Sequence, residues 1–464
     1  YRHTQQIYLP SSAQTSFQNR LVATSSSRVV LPAKPNPCIT MPLFVTRFLS
    51  FTTRRRRTLL KAATAVSVSL VGASTMISTW RFAEATQKHR DQWVGSGQPY
   101  YGGEWAYKFF LGALEEECGD KTKIDMVQLT TMLQASIIQR LDAMERKAWV
   151  ENAYFHSDRK GLETPLKFRV DVDDRRENGK LGITAVMQGG LVVEKAGVGV
   201  TMLSKKLNPR MAKQMAHNHP ALKEYLATGE VNDLSMWVNG ISCIVHPVNP
   251  KAPTVHFNYR HFQITKDDGS VVAWWFGGGQ DLTPIYLFEE DAHHLHSLLK
   301  RACDKHNPEY YPKFKKWADE YFYHTARKEA RGIGGIFFDD LDSGSKENIF
   351  SFVKDCADTF EPSYFPILQK RSEEKYGETE KKWQALRHGR YVEFNLVYDR
   401  GTKFGFSVPG VNIEAVLMSL PLTVGFMYKH LPKHGTEEDK LLKILTGKPR
   451  DWATTASITG TSSG

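Results

Sequence analysis

Cysteine is scarce in this chain. Its 464 residues hold five (Cys38, Cys118, Cys243, Cys303 and Cys356), widely spaced and odd in number. None sits in a C-x-x-C pair, which argues against a zinc ribbon and a disulfide framework. No clustered C-x3-C-x2-C run is present for a radical-type iron–sulfur centre. Each cysteine reads as a small buried hydrophobe rather than a nucleophile. Walker loops, G-x-S-x-G and H-E-x-x-H are also absent. Gly277-Gly278-Gly279 follows an apolar run but lacks the G-x-G-x-x-G spacing of a dinucleotide site. Acid is missing from residues 1–61 altogether. A basic excess is missing from the rest. Of 61 Lys and Arg and 50 Asp and Glu, eleven basic residues and one acid fall in 1–85, leaving 50 against 49 over 86–464. The formal charge of +11 is therefore the charge of one end, and no basic stripe remains for nucleic acid.

That end reads as a targeting leader. It is rich in Arg, Ser and Thr and closes on Arg54-Arg-Arg-Arg-Thr-Leu-Leu-Lys61. An uncharged stretch over 62–80 follows, just long enough to cross a bilayer but diluted with Ser, Thr and Gly. Ala83-Glu84-Ala85 resembles a small-residue cleavage site. Residues 1–85 are thus expected to be a two-part sorting signal into an organelle, with association to an inner membrane through the apolar segment. Mitochondrion is the first reading, at the intermembrane space or inner membrane. Plastid is the alternative, since Arg56-Arg57 also suits a twin-arginine signal. Residues 86–452 have the composition of one globular domain, and 453–464 form an Ala/Thr/Ser/Gly tail that cannot support a core.

Periodicity places an amphipathic helix over 123–149. A β-rich stretch over 183–203 is broken at Gly189-Gly190 and again around Gly197. Pro209 opens a short helix. Strands are expected over 236–246, 255–264 and 271–276, with Asp267-Asp268-Gly269 as a hairpin signal. Helices are expected over 289–304 and 312–331, strands over 333–338 and 391–398, mostly helix over 346–387, and a last helix over 412–420. Hairpin-connected strands with helices before and after indicate an α+β single domain with helices packed on an antiparallel sheet.

The strand over 255–264, Val-His-Phe-Asn-Tyr-Arg-His-Phe-Gln-Ile, is the chemically unusual one. Alternation puts His256, Asn258 and Arg260 on one face and Phe257, Tyr259 and His261 on the other. Ser242 and His246 lie just upstream. Trp274-Trp-Phe-Gly-Gly-Gly-Gln-Asp281 follows, with glycines that admit close approach, an aromatic wall and one carboxylate. Asp281 is equally at home in a turn or a helix cap. Arg331, bracketed by bulky hydrophobics, requires a carboxylate partner, either Asp339/Asp340 or a ligand. Glu393 and Asn395 would share a strand face. Arg260, Arg331 and Arg390 together suit a substrate with several carboxylates. His246, His256, His294 and His296 could bring two or three imidazoles around an ion, but their spacings match no metal signature.

Five runs closely resemble oxygen-dependent coproporphyrinogen-III oxidase. They are His246-Pro-x-Asn-Pro, Pro253-Thr-Val-His-Phe-Asn-Tyr-Arg260, Trp274-Trp-Phe-Gly-Gly-Gly-x-Asp-Leu-Thr-Pro284, Arg331-Gly-Ile-Gly-Gly-Ile-Phe-Phe-Asp-Asp-Leu341 and Gly389-Arg-Tyr-Val-Glu-Phe-Asn-Leu-Val-Tyr-Asp-Arg-Gly-Thr-Lys403. The likeness runs from about residue 100 to Trp452. It implies a large flat antiparallel sheet sandwiched between layers of helices, a homodimer, no organic cofactor and no metal. Coproporphyrinogen III and O2 would be the substrates, and two propionates would become vinyls in haem and chlorophyll synthesis. By resemblance, Asp281 holds the pyrrole N–H groups, His256 is a proton donor, and Arg260 and Arg331 position carboxylates. Ser242, Asn258, Tyr259, Gly410, Val411 and Asn412 fall among the substrate contacts. Three positions depart from the family pattern. Glu177-Asn-Gly-Lys-Leu-Gly182 replaces a Gly run, Ala326 stands for a His (His324 lies two places earlier), and Asn412 stands for an Arg. These departures support a competing reading, a divergent paralogue that binds porphyrin or dimerises with little turnover.

Overall fold

The computed structural model describes residues 102–112, 120–155, 168–228, 233–407 and 411–454. The leader, its apolar segment and Gly410 lie outside the described residues, as does the tail from 455 on.

Alternation along the central strands builds the sheet. Seven strands pair in the order β1-β2-β3-β4-β5-β6-β9, antiparallel throughout. They are β1 (Arg169–Arg175), β2 (Lys180–Gln188), β3 (Val193–Lys206), β4 (Ser235–Pro247), β5 (Thr254–Thr265), β6 (Val271–Thr283) and β9 (Gly335–Leu341). The first six form a meander, because each connection is short enough to return as a hairpin or over two small helices. Gly269 closes the β5–β6 turn at φ +82°, where its N–H donates to Lys266 O. A two-stranded hairpin, β7 (Tyr323–His324) with β8 (Glu329–Ala330), precedes β9.

The helices, in chain order, begin with α1 (Gly102–Leu111), α2 (Lys121–Phe155), α3 (Pro209–Met215) and α4 (Pro220–Ala227). Next come α5 (Glu289–Asp304), α6 (Tyr310–Tyr321), α7 (Lys346–Asp358), α8 (Phe360–Ser372) and α9 (Glu378–Val397). The last are α10 (Arg400–Ser407), α11 (Ile413–Val416) and α12 (Glu437–Thr446). The α2, α5, α7 and α8 helices cover one sheet face, where Phe257, Tyr259, Ile241, Cys243 and Phe338 form the main core. On that face Thr130 and Gln134 of α2 reach the sheet, bonding Asn239 Oδ1 and the carbonyls of Ile183 and Val198. The opposite face is covered less evenly. At one end α3 and α4 pack on Met236, Ile264, Ala273 and Trp275. At the other end lies α9.

Several expected boundaries move. The break expected around Gly197 does not occur, because β3 runs through it. The β6 strand continues past Phe276 through the three glycines to Thr283, so Asp281 is a strand residue and not a cap. The helix expected over 312–331 ends at Tyr321, and Arg331 follows the β7–β8 hairpin rather than a helix end. The strand expected over 391–398 is the last two turns of α9. Its short apolar run fits either period, and Phe394 is buried while Leu396 and Val397 are exposed. The helix expected over 412–420 is one turn, α11, followed by a 3-10 turn, Leu417–Ser419. It is not the last helix, since α12 comes after it.

Candidate active site

Strand register writes the site as three rows across β4, β5 and β6. Gly240, Arg260 and Gly277 make one row, and Ser242, Asn258 and Gly279 the next. Ile244, His256 and Asp281 make the third. Residues directly opposite in adjacent strands share a face, so these nine form one continuous surface. It lies on the partly open face, between the α3–α4 end and the α9 end. Five of the nine carry polar side chains, three are glycines, which leave the floor low, and the ninth is Ile244.

Gly277 shows why the floor requires glycine. A Cβ there would stand 2.8 Å from Arg260 Cζ and 2.5 Å from Asp339 Oδ1. The Arg260 guanidinium therefore lies across the β6 backbone. It donates to Asn258 Oδ1 at 2.6 Å and pairs with Asp339 at 2.9 Å, and Arg400 approaches the same Asp339 oxygen at 3.6 Å.

Behind the third row sits a buried ion pair. Arg331 Nη2 donates to both Asp281 oxygens, at 2.8 and 2.7 Å. Their side chains are 3% and 2% exposed. Arg331 Nη1 donates to Asn395 Oδ1 at 3.0 Å. The guanidinium plane is enclosed by Phe322, Tyr391 and Phe394 at 4.0, 4.8 and 5.0 Å, where aromatic faces offset part of its lost hydration. His256 Nδ1 lies 3.0 Å from Asp281 Oδ1, and the imidazole is 23% exposed. Burial alone pushes the Asp281 carboxyl up, but Arg331 and His256 outweigh it and hold it below the ordinary carboxylate range. Asp281 is thus an anion, and His256 Nδ1 is the donor in their bond. The ring then has Nε2 to offer the cleft.

The structure brings Ser242, Asn258, Arg260, His256 and Asp281 onto one surface. Tyr259 turns to the opposite face and is wholly buried, so only its backbone belongs to this surface. The partner of Arg331 is Asp281 and not Asp339 or Asp340. Asp281 directs both oxygens at Arg331 and one at His256, so His256 is the member of the set that faces outward. Asn412 caps α11, accepting from the N–H groups of Glu414 and Ala415 at 3.1 and 3.4 Å, and Val411 beside it is half-buried. The Glu177–Gly182 departure forms the β1–β2 turn at the sheet edge. Ala326 lies in the β7–β8 turn, where its N–H donates to the Tyr398 hydroxyl at 3.3 Å. Glu393, on α9, pairs with Arg327 and Arg390.

The four histidines each have other partners. His246 lies between Thr254 Oγ1 and Ser419 O, and His296 between the Tyr311 hydroxyl and Ile333 O. His294 bonds Pro362 O. Among the described residues no three His, Cys, Asp or Glu side chains converge as a metal site. Sequence reasoning missed Phe322, Tyr391 and Asn395 as the enclosure of Arg331. The apolar flanks of Arg331 were the available signal that it is buried.

Replacing Arg331 by Met should cost about 3–5 kcal/mol in urea unfolding, because Asp281 is left as an uncompensated buried charge. Adding Asp281→Asn should restore most of it. The pH dependence should change sign between the two proteins. In the wild type the folded-state pKa of Asp281 is depressed, so its contribution is complete above the unfolded carboxyl value of about 3.9. It is lost as pH falls through the folded value. In Arg331→Met burial acts with less opposition, so acid should narrow the gap to wild type. A gap that stays constant or widens toward pH 4 counts against the pair.

Comparison with known proteins agrees with the geometry. The family model for coproporphyrinogen III oxidase matches residues 125–452. A human relative, oxygen-dependent coproporphyrinogen-III oxidase, mitochondrial, is 47% identical over 343 residues, covering 74% of this chain and 69% of that protein. The Drosophila melanogaster oxygen-dependent coproporphyrinogen-III oxidase is 51% identical over 286 residues, 62% of this chain and 71% of its own length. Coproporphyrinogen-III oxidase 1, chloroplastic, of Arabidopsis thaliana is 47% identical over 294 residues, 63% of this chain and 74% of its own length. On the extent of the family match and these identities, the chain belongs to the coproporphyrinogen III oxidase family.

Proposed function

We propose that this protein converts two propionates of coproporphyrinogen III to vinyls with O2 as co-substrate, giving protoporphyrinogen IX. For each propionic acid the balance is loss of CO2 and two hydrogens, which reduce one O2 to H2O2. The observation that carries the reading is the surface itself: a glycine-lowered floor with Arg260 at one end and the His256–Asp281–Arg331 relay at the other. A broad macrocycle with carboxylates on its rim needs that combination. Arg260, already aimed by Asp339 and Asn258, anchors a propionate by charge-assisted hydrogen bonding. Asp281 fixes the His256 tautomer, so Nε2 meets the macrocycle and moves a proton as the propionate β-carbon loses hydrogen. Arg331 keeps Asp281 ionised and oriented. Ser242 and Asn258 line the floor between them. Asn412, engaged in capping α11, contributes no charge, so Arg260 carries more of the carboxylate binding.

Purified residues 86–464 given coproporphyrinogen III should form fluorescent protoporphyrin, after oxidation of the product, only in air. Binding without product would instead identify a weakly active paralogue. His256→Ala should lower kcat about 10²–10⁴-fold, the range for a lost proton-transfer group, with little change in KM. Arg260→Ala should act mainly on KM. A His256→Ala enzyme within threefold of wild-type kcat removes His256 from the proton path.

The protein is further proposed to work as a homodimer. Support comes from the stretch after the 3-10 turn, where Leu422, Val424, Phe426, Met427, Tyr428 and Leu431 are all exposed and Tyr428 is 90% so. Such an apolar patch is costly to leave in water. Light scattering should give twice the chain mass, and Phe426→Asp with Tyr428→Asp should halve it; a wild-type monomer at micromolar concentration rejects the dimer.

The leader composition and the mitochondrial and chloroplastic names of the relatives support an organelle address, with the mitochondrial intermembrane space or inner membrane preferred and the plastid as the alternative. No helix among the described residues is long and apolar enough to cross a membrane; the uncharged composition of 62–80 is what supports that segment as the one that associates with it. Residues 1–85 fused to a fluorescent protein should co-localise with a mitochondrial marker. Plastid signal selects the alternative, and diffuse cytosolic signal rejects both.

A further inference from the structure

The three-row floor ends, on the β3 side, at a side chain that neither charge nor motif singles out. Gly199 is the β3 partner of Ser242, and Gly197 is the partner of Ile244, so both glycines extend the floor by one strand. Met418 lies along them. A Cβ on Gly197 would meet its Sδ at 3.2 Å, and a Cβ on Gly199 its Cε at 3.0 Å. Two glycines on one face of a strand clear a trough one side chain wide, and the thioether fills it.

Met418 is held there from both sides. It is the middle residue of the 3-10 turn Leu417–Ser419. The carbonyl before it, Leu417 O, accepts from Lys195 Nζ at 3.2 Å, and the carbonyl after it, Ser419 O, accepts from His246 Nε2 at 2.9 Å. Lys195 and His246 are register partners and both are buried. Burial pushes the His246 imidazole well below its ordinary pKa. As a neutral ring it accepts a hydrogen bond from the Thr254 hydroxyl on Nδ1 at 3.0 Å and carries its own hydrogen on Nε2. Farther along, His388 Nδ1 donates to Thr423 O at 3.0 Å, and the Gly425 N–H donates to Ala385 O at 2.7 Å. The segment that carries Met418 is therefore tied to the sheet and α9 at four points.

We propose that Met418 is a specificity-determining residue, the β3-side wall of the macrocycle cleft, and that Lys195 and His246 are positioning residues that fix it. The proposal rests on the porphyrinogen reading above. From β3 to β9 is four strand spacings, about 19 Å. Met418 over β3 and Asp339 on β9 therefore confine the ligand to the width of β4, β5 and β6. A fixed wall at one edge limits the substituents on the ring that faces it, and one added methylene against such a wall is worth roughly 10–200-fold in discrimination.

The test compares coproporphyrinogen III with the same macrocycle bearing ethyls in place of its ring methyls. Full-length wild type and variants are assayed for kcat/KM, and the two corresponding porphyrins are titrated by fluorescence quenching. Met418→Ala should raise the ethyl-to-methyl ratio about tenfold or more, and Met418→Leu should stay within about threefold of wild type. Lys195→Met, which leaves the wall in place but unpinned, should shift the ratio in the same direction as Met418→Ala. Gly199→Ala pushes the thioether off the trough into the cleft and should lower the ratio, which decides the matter if Met418→Ala does not fold. Ratios within about twofold of wild type for both Met418→Ala and Gly199→Ala overturn the wall while leaving the activity standing. A wild type that neither binds nor turns over either macrocycle overturns the activity, and the wall with it.

Discussion

The Arg331–Asp281 pair is the constraint to which the rest of the site answers. A buried guanidinium and carboxylate are each expensive to desolvate, and they are tolerated only when every oxygen and most N–H groups find partners. Here Asp281 accepts from Arg331 and His256, Arg331 also donates to Asn395, and three aromatic rings close over the guanidinium. The enclosure draws on β5, β6, the end of α6, the segment after the β7–β8 hairpin, and α9. Meeting one electrostatic demand therefore fixes the mutual positions of five parts of the chain. His256 inherits its orientation from that arrangement.

The sheet answers a different demand. One face must be a continuous apolar layer for α2, α5, α7 and α8, and the other must be low and polar in its middle. Period-two alternation meets both demands with the same residues in sequence. Phe257 and Tyr259 enter the core between His256, Asn258 and Arg260. Gln280 reaches Ser363 on the helical side, while Gly279 and Asp281 belong to the cleft. Two sets of cleft-side glycines make room for a side chain that lies flat on the backbone: Arg260 over Gly277, and Met418 over Gly197 and Gly199.

Much of this was legible in the sequence. The polar row on β5 and its facing were readable because alternation is strict. The α+β class followed from the hairpin spacing, and the family from the ordered motifs. What could not be read depended on tertiary context. The run Tyr391-Val-Glu-Phe-Asn-Leu-Val-Tyr398 fits a strand period as well as a helix, and only the buried positions of Tyr391 and Phe394 against Arg331 decide it. The glycines at 277–279 were expected after a strand because glycine weakens an isolated strand. In the sheet, flanking strands supply the backbone bonds, and β6 continues. The partner of Arg331 lies 50 residues away, beyond what spacing shows. Met418 carried no signal, since a methionine in an apolar run reads as core.

The meander order has a consequence for how the chain closes. Strands β1 to β6 can pair by successive local hairpins, whereas β9 is separated from β6 by α5, α6 and a small hairpin. Until Gly335–Leu341 returns, β6 is an outer strand with unsatisfied backbone groups, the kind of edge that recruits stray chains. Asp281 is the β6 residue that pairs with Gly335, and Arg331 lies four residues before it. The event that seals the sheet against aggregation is thus the same one that delivers the guanidinium to the carboxylate. A chain that has hidden its vulnerable edge has, by that act, brought together the charges of its active site.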